Sequence, residues 1–144
     1  YVALVGQEDS FVFTIRRREF SYNLSYRPFA LPSAEVTFSS YLGTGLLLCQ
    51  DVIPDTGAGL SALPEDDCLT IDRFSSPYLM GLARGVLGPS VTTFVYHGNA
   101  EINDSRYRCL IQPIPAGRER ILGRDVLNQI RVILDGPQSK VLFE

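Results

Sequence analysis

The chain is short of the side chains that most often bind metals or serve as nucleophile and base. Its 144 residues include one histidine, His97, and three cysteines, Cys49, Cys68 and Cys109. The cysteines have no Cys-x-x-Cys spacing and cannot form a complete disulfide framework, so a reducing compartment is the simpler expectation. Cys49 and Cys109 lie in apolar, strand-like stretches and read as small core residues. Glu65-Asp66-Asp67-Cys68 gathers acids, but with no histidine beside them it reads as an acidic turn and not a metal site. A Ser–His–Asp triad built on Ser61 and His97 has no further support, and His97, next to Gly98, reads as a surface turn residue. Metal and cofactor are both expected to be absent.

Other absences narrow the partners. No apolar run approaches the ~20 residues that span a bilayer. The longest basic cluster is Arg16-Arg17-Arg18, the net charge is -3 and the isoelectric point is near 5.1. Neither nucleic acid nor membrane is therefore an expected partner. No signal peptide opens the chain and its first residue is not Met, which suits a cytoplasmic fragment of a longer precursor. The Asn-x-Ser sites at Asn23 and Asn103 matter only in a secreted protein. There are no internal repeats, no low-complexity tract and no linker that would split the chain.

What is present is a succession of short strands, and the length suits one domain with a real core. Residues 1–26 predict one or two hairpins, with Phe11 to Ile15 β-branched and aromatic, and with Phe20, Tyr22, Leu24 and Tyr26 alternating at period two. Arg27 to Pro32 is an extended two-proline connector. Ala34 to Tyr41 and Leu46 to Ile53 predict a hairpin around Leu42-Gly43-Thr44-Gly45. Further strands are expected over Leu69 to Ile71, Val91 to Tyr96, Ala100 to Ile102, Tyr107 to Ile114, Ile130 to Leu134 and Lys140 to Phe143. Turns are expected at His97-Gly98-Asn99, Asn103-Asp104-Ser105 and Asp135-Gly136-Pro137, and a loop from Pro113 to Glu119. Asp125, just before Val126-Leu127-Asn128-Gln129-Ile130, suits the start of a short helix. The expectation is an all-β chain, with residues 1–33 an N-terminal β extension and connector and residues 34–144 the main domain.

Within that domain Asp55-Thr56-Gly57-Ala58 stands between two apolar, strand-like pieces. Glycine permits a tight turn that brings backbone N–H groups to the carboxylate, and the threonine hydroxyl can brace it. Downstream lie a Gly-x-x-Gly tip, Gly85-Val86-Leu87-Gly88, flanked by strand-like residues, and then Ile121-Leu122-Gly123-Arg124-Asp125-Val126-Leu127-Asn128. In this order the three segments resemble the active-site loop, flap and C-terminal Gly-Arg-Asp/Asn segment of retropepsins, the retroviral-type aspartic proteases. The resemblance covers roughly residues 34 to 143.

The resemblance implies a closed β-barrel with a flap hairpin and one short C-terminal helix. It implies a homodimer, because the chain carries one Asp-Thr-Gly loop where pepsin-type enzymes carry two. Asp55 would be the catalytic residue, with Thr56, Gly57 and Ala58 supporting the loop. Gly85, Val86, Leu87 and Gly88 would cover an extended peptide or polyprotein substrate, and Gly123, Arg124 and Asp125 would support the loop from behind. Two carboxylates held at about 3 Å share one proton, so one activates water while the other polarises the scissile carbonyl. Two positions depart from the pattern. Pro54 stands where an apolar residue with an N–H is usual, and Gly59 where many viral members carry the acid that pairs with the arginine equivalent to Arg124. These departures, with the N-terminal extension, motivate an alternative: an inactive retropepsin-fold module for dimerisation or peptide binding.

Overall fold

The computed structural model describes residues 2–5, 12–15, 18–71, 78–83, 91–115 and 117–144. Its centre is a ring of six strands. These are β4 (Ala34–Ser40), β5 (Leu47–Pro54), β10 (Arg120–Leu122), β6 (Ser61–Pro64), β9 (Ser105–Ile114) and β8 (Val91–Ile102), hydrogen-bonded in that order. Pairing of β4 with β8 closes the ring into a barrel. The β5–β10 and β6–β9 pairs are parallel and the others antiparallel. β7 (Tyr78–Ala83) extends the sheet outward from β8.

Alternation at period two explains the core. Along β4, Ala34, Val36 and Phe38 are buried while Glu35 and Thr37 between them are half-exposed. Val52, Leu63, Ile102, Ile111 and Leu122 meet them from the other staves of the barrel. Fully burying each such side chain stabilises the fold by roughly 1.5–3 kcal/mol.

A second sheet sits beside the barrel. β11 (Val132–Asp135) pairs with β12 (Lys140–Phe143), and β12 pairs on its other side with β3 (Arg18–Ser21). Phe20 of β3 packs edge-on against the buried Phe143, with ring centroids 5.8 Å apart, so the segment before residue 34 contributes to the core. β1 (Val2–Val5) and β2 (Val12–Ile15) form a hairpin of their own.

Two local expectations are corrected. Residues expected to be an acidic turn followed by a strand at Leu69 to Ile71 form one helix, α1 (Glu65–Thr70). Pro64 at its N-cap has a preset φ, and Glu65, Asp66 and Asp67 in its first turn face the positive end of the helix dipole. Cys68, within the helix, is buried. The expected turn at His97-Gly98-Asn99 is instead the middle of the continuous strand β8. A Cβ on Gly98 would stand 2.8 Å from the Ser39 carbonyl oxygen and 2.8 Å from Ile111 Cδ1. Here glycine marks the close passage of β8 between β4 and β9, where it lies opposite Ser40 and Cys109.

Candidate active site

β5 delivers Asp55 to the end of the barrel, and the first bond beyond the strand holds it: Asp55 N–H donates to the Leu122 carbonyl at 3.0 Å. Pro54 lies opposite Leu122 in the parallel pair. Successive N–H groups of a strand point to opposite edges, so the donor that proline lacks would face away from β10. On that side the pairing with β4 has already ended, at Ala34 opposite Val52. Proline is therefore accommodated where no ladder bond is lost.

The loop then folds back on itself. Gly57 N–H donates to Asp55 Oδ1 at 2.8 Å, and Ala58 N–H to the Asp55 carbonyl at 3.2 Å. Asp55 is half-buried, with Thr56 and Gly57 exposed beside it. The Ile121–Asn128 segment holds the loop from behind. Arg124 N–H donates to the Ala58 carbonyl at 2.9 Å, and Arg124 Nη1 to the Thr56 carbonyl at 3.0 Å. In the single chain Arg124 lies against the loop and is exposed.

Gly123 and Asp125 lock this support into the barrel. A Cβ on Gly123 would meet the Leu60 carbonyl carbon and oxygen at 2.4 Å, so only glycine lets the two backbones touch. Asp125 Oδ1 accepts from Ser61 Oγ at 2.9 Å and Asp125 Oδ2 from Leu110 N–H at 2.8 Å. Ser61 Oγ in turn accepts from Gly123 N–H at 3.1 Å. Burial pushes the Asp125 carboxyl above its ordinary range, and these donors pull it back. Asp125 lies in the first turn of α2 (Arg124–Leu127), whose Val126 and Leu127 are buried.

Ser61, weighed in the sequence only as a triad nucleophile, has instead a supporting role there; the available signal was a lone hydroxyl inside the apolar run from Leu60 to Leu63. Missed altogether was Arg120, which bonds Asp67 Oδ2 through Nε at 2.8 Å and Asp51 Oδ1 through Nη1 at 2.8 Å. It ties α1, β5 and β10 together beneath the loop.

β7 and β8 form an antiparallel hairpin whose last described pair is Ala83 opposite Val91. The expected tip residues, Gly85, Val86, Leu87 and Gly88, lie outside the described residues. Among the described residues no three His, Cys, Asp or Glu side chains converge as a metal site, and no helix is long and apolar enough to cross a membrane.

An EIAV protease, solved in complex with the inhibitor HBY-793, superposes on this chain with a TM-score of 0.50 at 27% identity, over 76% of this chain and 93% of that one. The chain has the retropepsin-like fold. A retropepsin-like aspartic protease from Rickettsia conorii shares that fold at 12% identity, with a TM-score of 0.53 over 89% of this chain and 91% of that one. No protein-family model matches the chain, and no curated protein matches it.

Within the retropepsin fold, the second departure at Gly59 has a structural counterpart. A Cβ at Gly59 would lie 3.6 Å from Arg124 Nη2. Arg124 thus points at the position where many retropepsins carry an acid and spends its guanidinium on the Thr56 carbonyl instead.

Proposed function

We propose that the chain is an aspartic endopeptidase that acts as a homodimer, two Asp55 carboxylates meeting across a two-fold axis. The observation that carries this reading is the built state of the Asp55 loop. One carboxylate oxygen is held by Gly57 N–H at 2.8 Å, while Oδ2 is left without a bond from any described residue. A loop held at its Leu122, Ala58 and Thr56 ends suits a group that must keep its position while bonds change around it.

In the proposed reaction the ionised carboxylate takes a proton from a water lying between the two aspartates, and that water attacks the scissile carbonyl. The protonated partner donates to the carbonyl oxygen. The roles reverse as the C–N bond breaks and the amine leaves with a proton. Thr56 would hold the two loops together, Gly57 would contact the substrate backbone, and residues Gly85 to Gly88 would close over an extended peptide or polyprotein segment bound by β-addition. No metal and no covalent intermediate take part.

The test is cleavage of a mixed peptide library from about pH 4 to 7, a range suited to a carboxylate pair sharing a proton, with wild type beside Asp55→Asn. Cleavage by wild type alone, strongest on the acid side, supports the dyad. If neither protein cleaves while both bind extended peptides, the chain is a peptide-binding module on the same fold.

A further inference from the structure

β10 carries the carbonyl that holds Asp55, yet it has little pairing of its own. It is three residues long and meets β6 at one position, Ile121 opposite Ala62. Against β5 it runs parallel from Arg120 opposite Val52 to Leu122 opposite Pro54. Arg118 and Glu119 just before it are exposed and belong to no strand. Three residues is the lower end of the usual range for a strand, so the placement of β10 depends on its side chains.

Arg120 holds the strand from two directions. Its Nε donates to Asp67 Oδ2 at 2.8 Å and its Nη2 to Asp67 Oδ1 at 3.3 Å, a two-bond fork onto α1. Its Nη1 donates to Asp51 Oδ1 at 2.8 Å, on β5 one residue before the Val52 that faces Arg120. The Asp67 arm is sheltered, with side chains 27% and 13% exposed, whereas Asp51 is 57% exposed. α1 is itself seated by its buried Cys68. The Asp67 arm thus ties β10 to the body of the barrel, and the Asp51 arm sets its offset along β5.

This tie lies two residues from the site. Leu122 is about 7 Å along the strand from Arg120, and its carbonyl accepts from Asp55 N–H at 3.0 Å. Arg124, two residues further on, holds the Ala58 and Thr56 carbonyls. A shift of β10 therefore moves both ends of the Asp55 loop together. The geometry points to Arg120 as a positioning residue: without touching substrate, its bonds to Asp67 and Asp51 set the place of the Asp55 carboxylate through β10. This rests on the peptidase reading above and adds to it a residue outside the loop and its Gly123–Asp125 support.

Arg120→Met keeps the stem and removes the fork, but it leaves the sheltered Asp67 carboxylate without a cation and so lowers stability. Asp67→Asn in the same chain removes that charge, and the double variant is expected to melt close to wild type with the tie still cut. Its kcat should fall at least about tenfold while KM stays within about twofold, because the reacting group and not the substrate contacts is displaced. Exchange of the Asp55 amide hydrogen should quicken at least about tenfold, while amides of the β8–β9 ladder keep their wild-type rates. Asp67→Asn alone leaves Arg120 on Asp51 and should fold in any case, showing both changes at smaller size. A folded variant of either kind with wild-type kcat, or with the Asp55 amide as protected as in wild type, overturns the positioning role. A wild type that cleaves no peptide, beside variants that still release the Asp55 amide, sinks the peptidase reading and leaves Arg120 placing the loop.

Discussion

Arg124 closes the Asp55 loop through the Thr56 carbonyl oxygen, its Nη1 donating at 3.0 Å. Its backbone N–H takes the Ala58 carbonyl at 2.9 Å, so a single residue grips the loop on both sides of Gly57. Arg124→Ala removes the side-chain grip and keeps the backbone one. A charge-assisted bond contributes about 1.5–3 kcal/mol when sheltered, and the exposed guanidinium places this one near or below the low end. The expected result is a melting temperature lower by about 3 °C with peptidase activity down at least about tenfold, because the loop and not the global fold loses its support. Equal activity in the variant and wild type would show that the clamp is idle.

Gly59→Asp is expected to give Arg124 an ion-pair partner. The added Cβ would stand 3.6 Å from Arg124 Nη2 with nothing closer, so the side chain fits without a shift. The pair is exposed and should add no more than about 1 kcal/mol. Thermal melts at low salt and at 1 M salt check this: the gain should fade as salt screens the pair, and a gain indifferent to salt would assign it to another cause.

Gly123→Ala tests the backbone contact behind the loop. Its φ is -92°, so alanine is not strained by conformation. The cost comes from space, since a methyl carbon would meet the Leu60 backbone at 2.4 Å. Overpacking of this kind costs typically 1–3 kcal/mol, and here it must also push α2 off the Asp55 loop. Urea denaturation should show that loss with the slope unchanged; a variant as stable as wild type would mean the two segments separate freely.

The thiols should be silent in the folded protein. Burial pushes Cys49 up to about 11, with Arg120 opposing and Asp67 and Asp51 adding to the rise. At pH 8 roughly one Cys49 thiol in a thousand is then thiolate, the reactive form. Burial also pushes Cys109 up. A thiol reagent should label none of the three at pH 8 in native buffer and all three in denaturant, and prompt native labelling would contradict the packing.

Much of the site was legible in the sequence because it is local: Asp55 to Ala58 and Ile121 to Asn128 are short segments whose residue types are dictated by contacts they make with each other. Gly98 was misread because glycine marks both turns and close strand crossings, and only the partner strand tells them apart. Glu65 to Asp67 was misread because three acids suit a solvated turn as well as a helix N-terminus. The pairing of Lys140 with Ser21 was out of reach altogether, since neither strand's alternation specifies a partner more than a hundred positions away. The supporting role of Ser61 was out of reach for a related reason: its hydroxyl has no local bond and is satisfied by Gly123 and Asp125.

Asp125 carries the pH dependence of the support. Burial raises its carboxyl above the ordinary 3.8, opposed by the donors Leu110 N–H and Ser61. Between 3.8 and the higher folded value, the folded state binds more protons than the unfolded chain, so this group's contribution to stability falls as pH rises through that window and is constant above it. Asp125→Asn removes the titration while keeping an acceptor for Leu110 N–H and offering an amide to Ser61 Oγ. Measured by urea denaturation, the stability of wild type relative to Asp125→Asn should therefore shift toward wild type as pH is lowered through the window toward 3.8, and stay level near neutrality. Asp125→Ala should instead lose about 1–3 kcal/mol at every pH, because Leu110 N–H is left without an acceptor. A difference between wild type and Asp125→Asn that does not change with pH, or that moves the other way, would mean that Asp125 is better hydrated than its bonds to Ser61 and Leu110 imply.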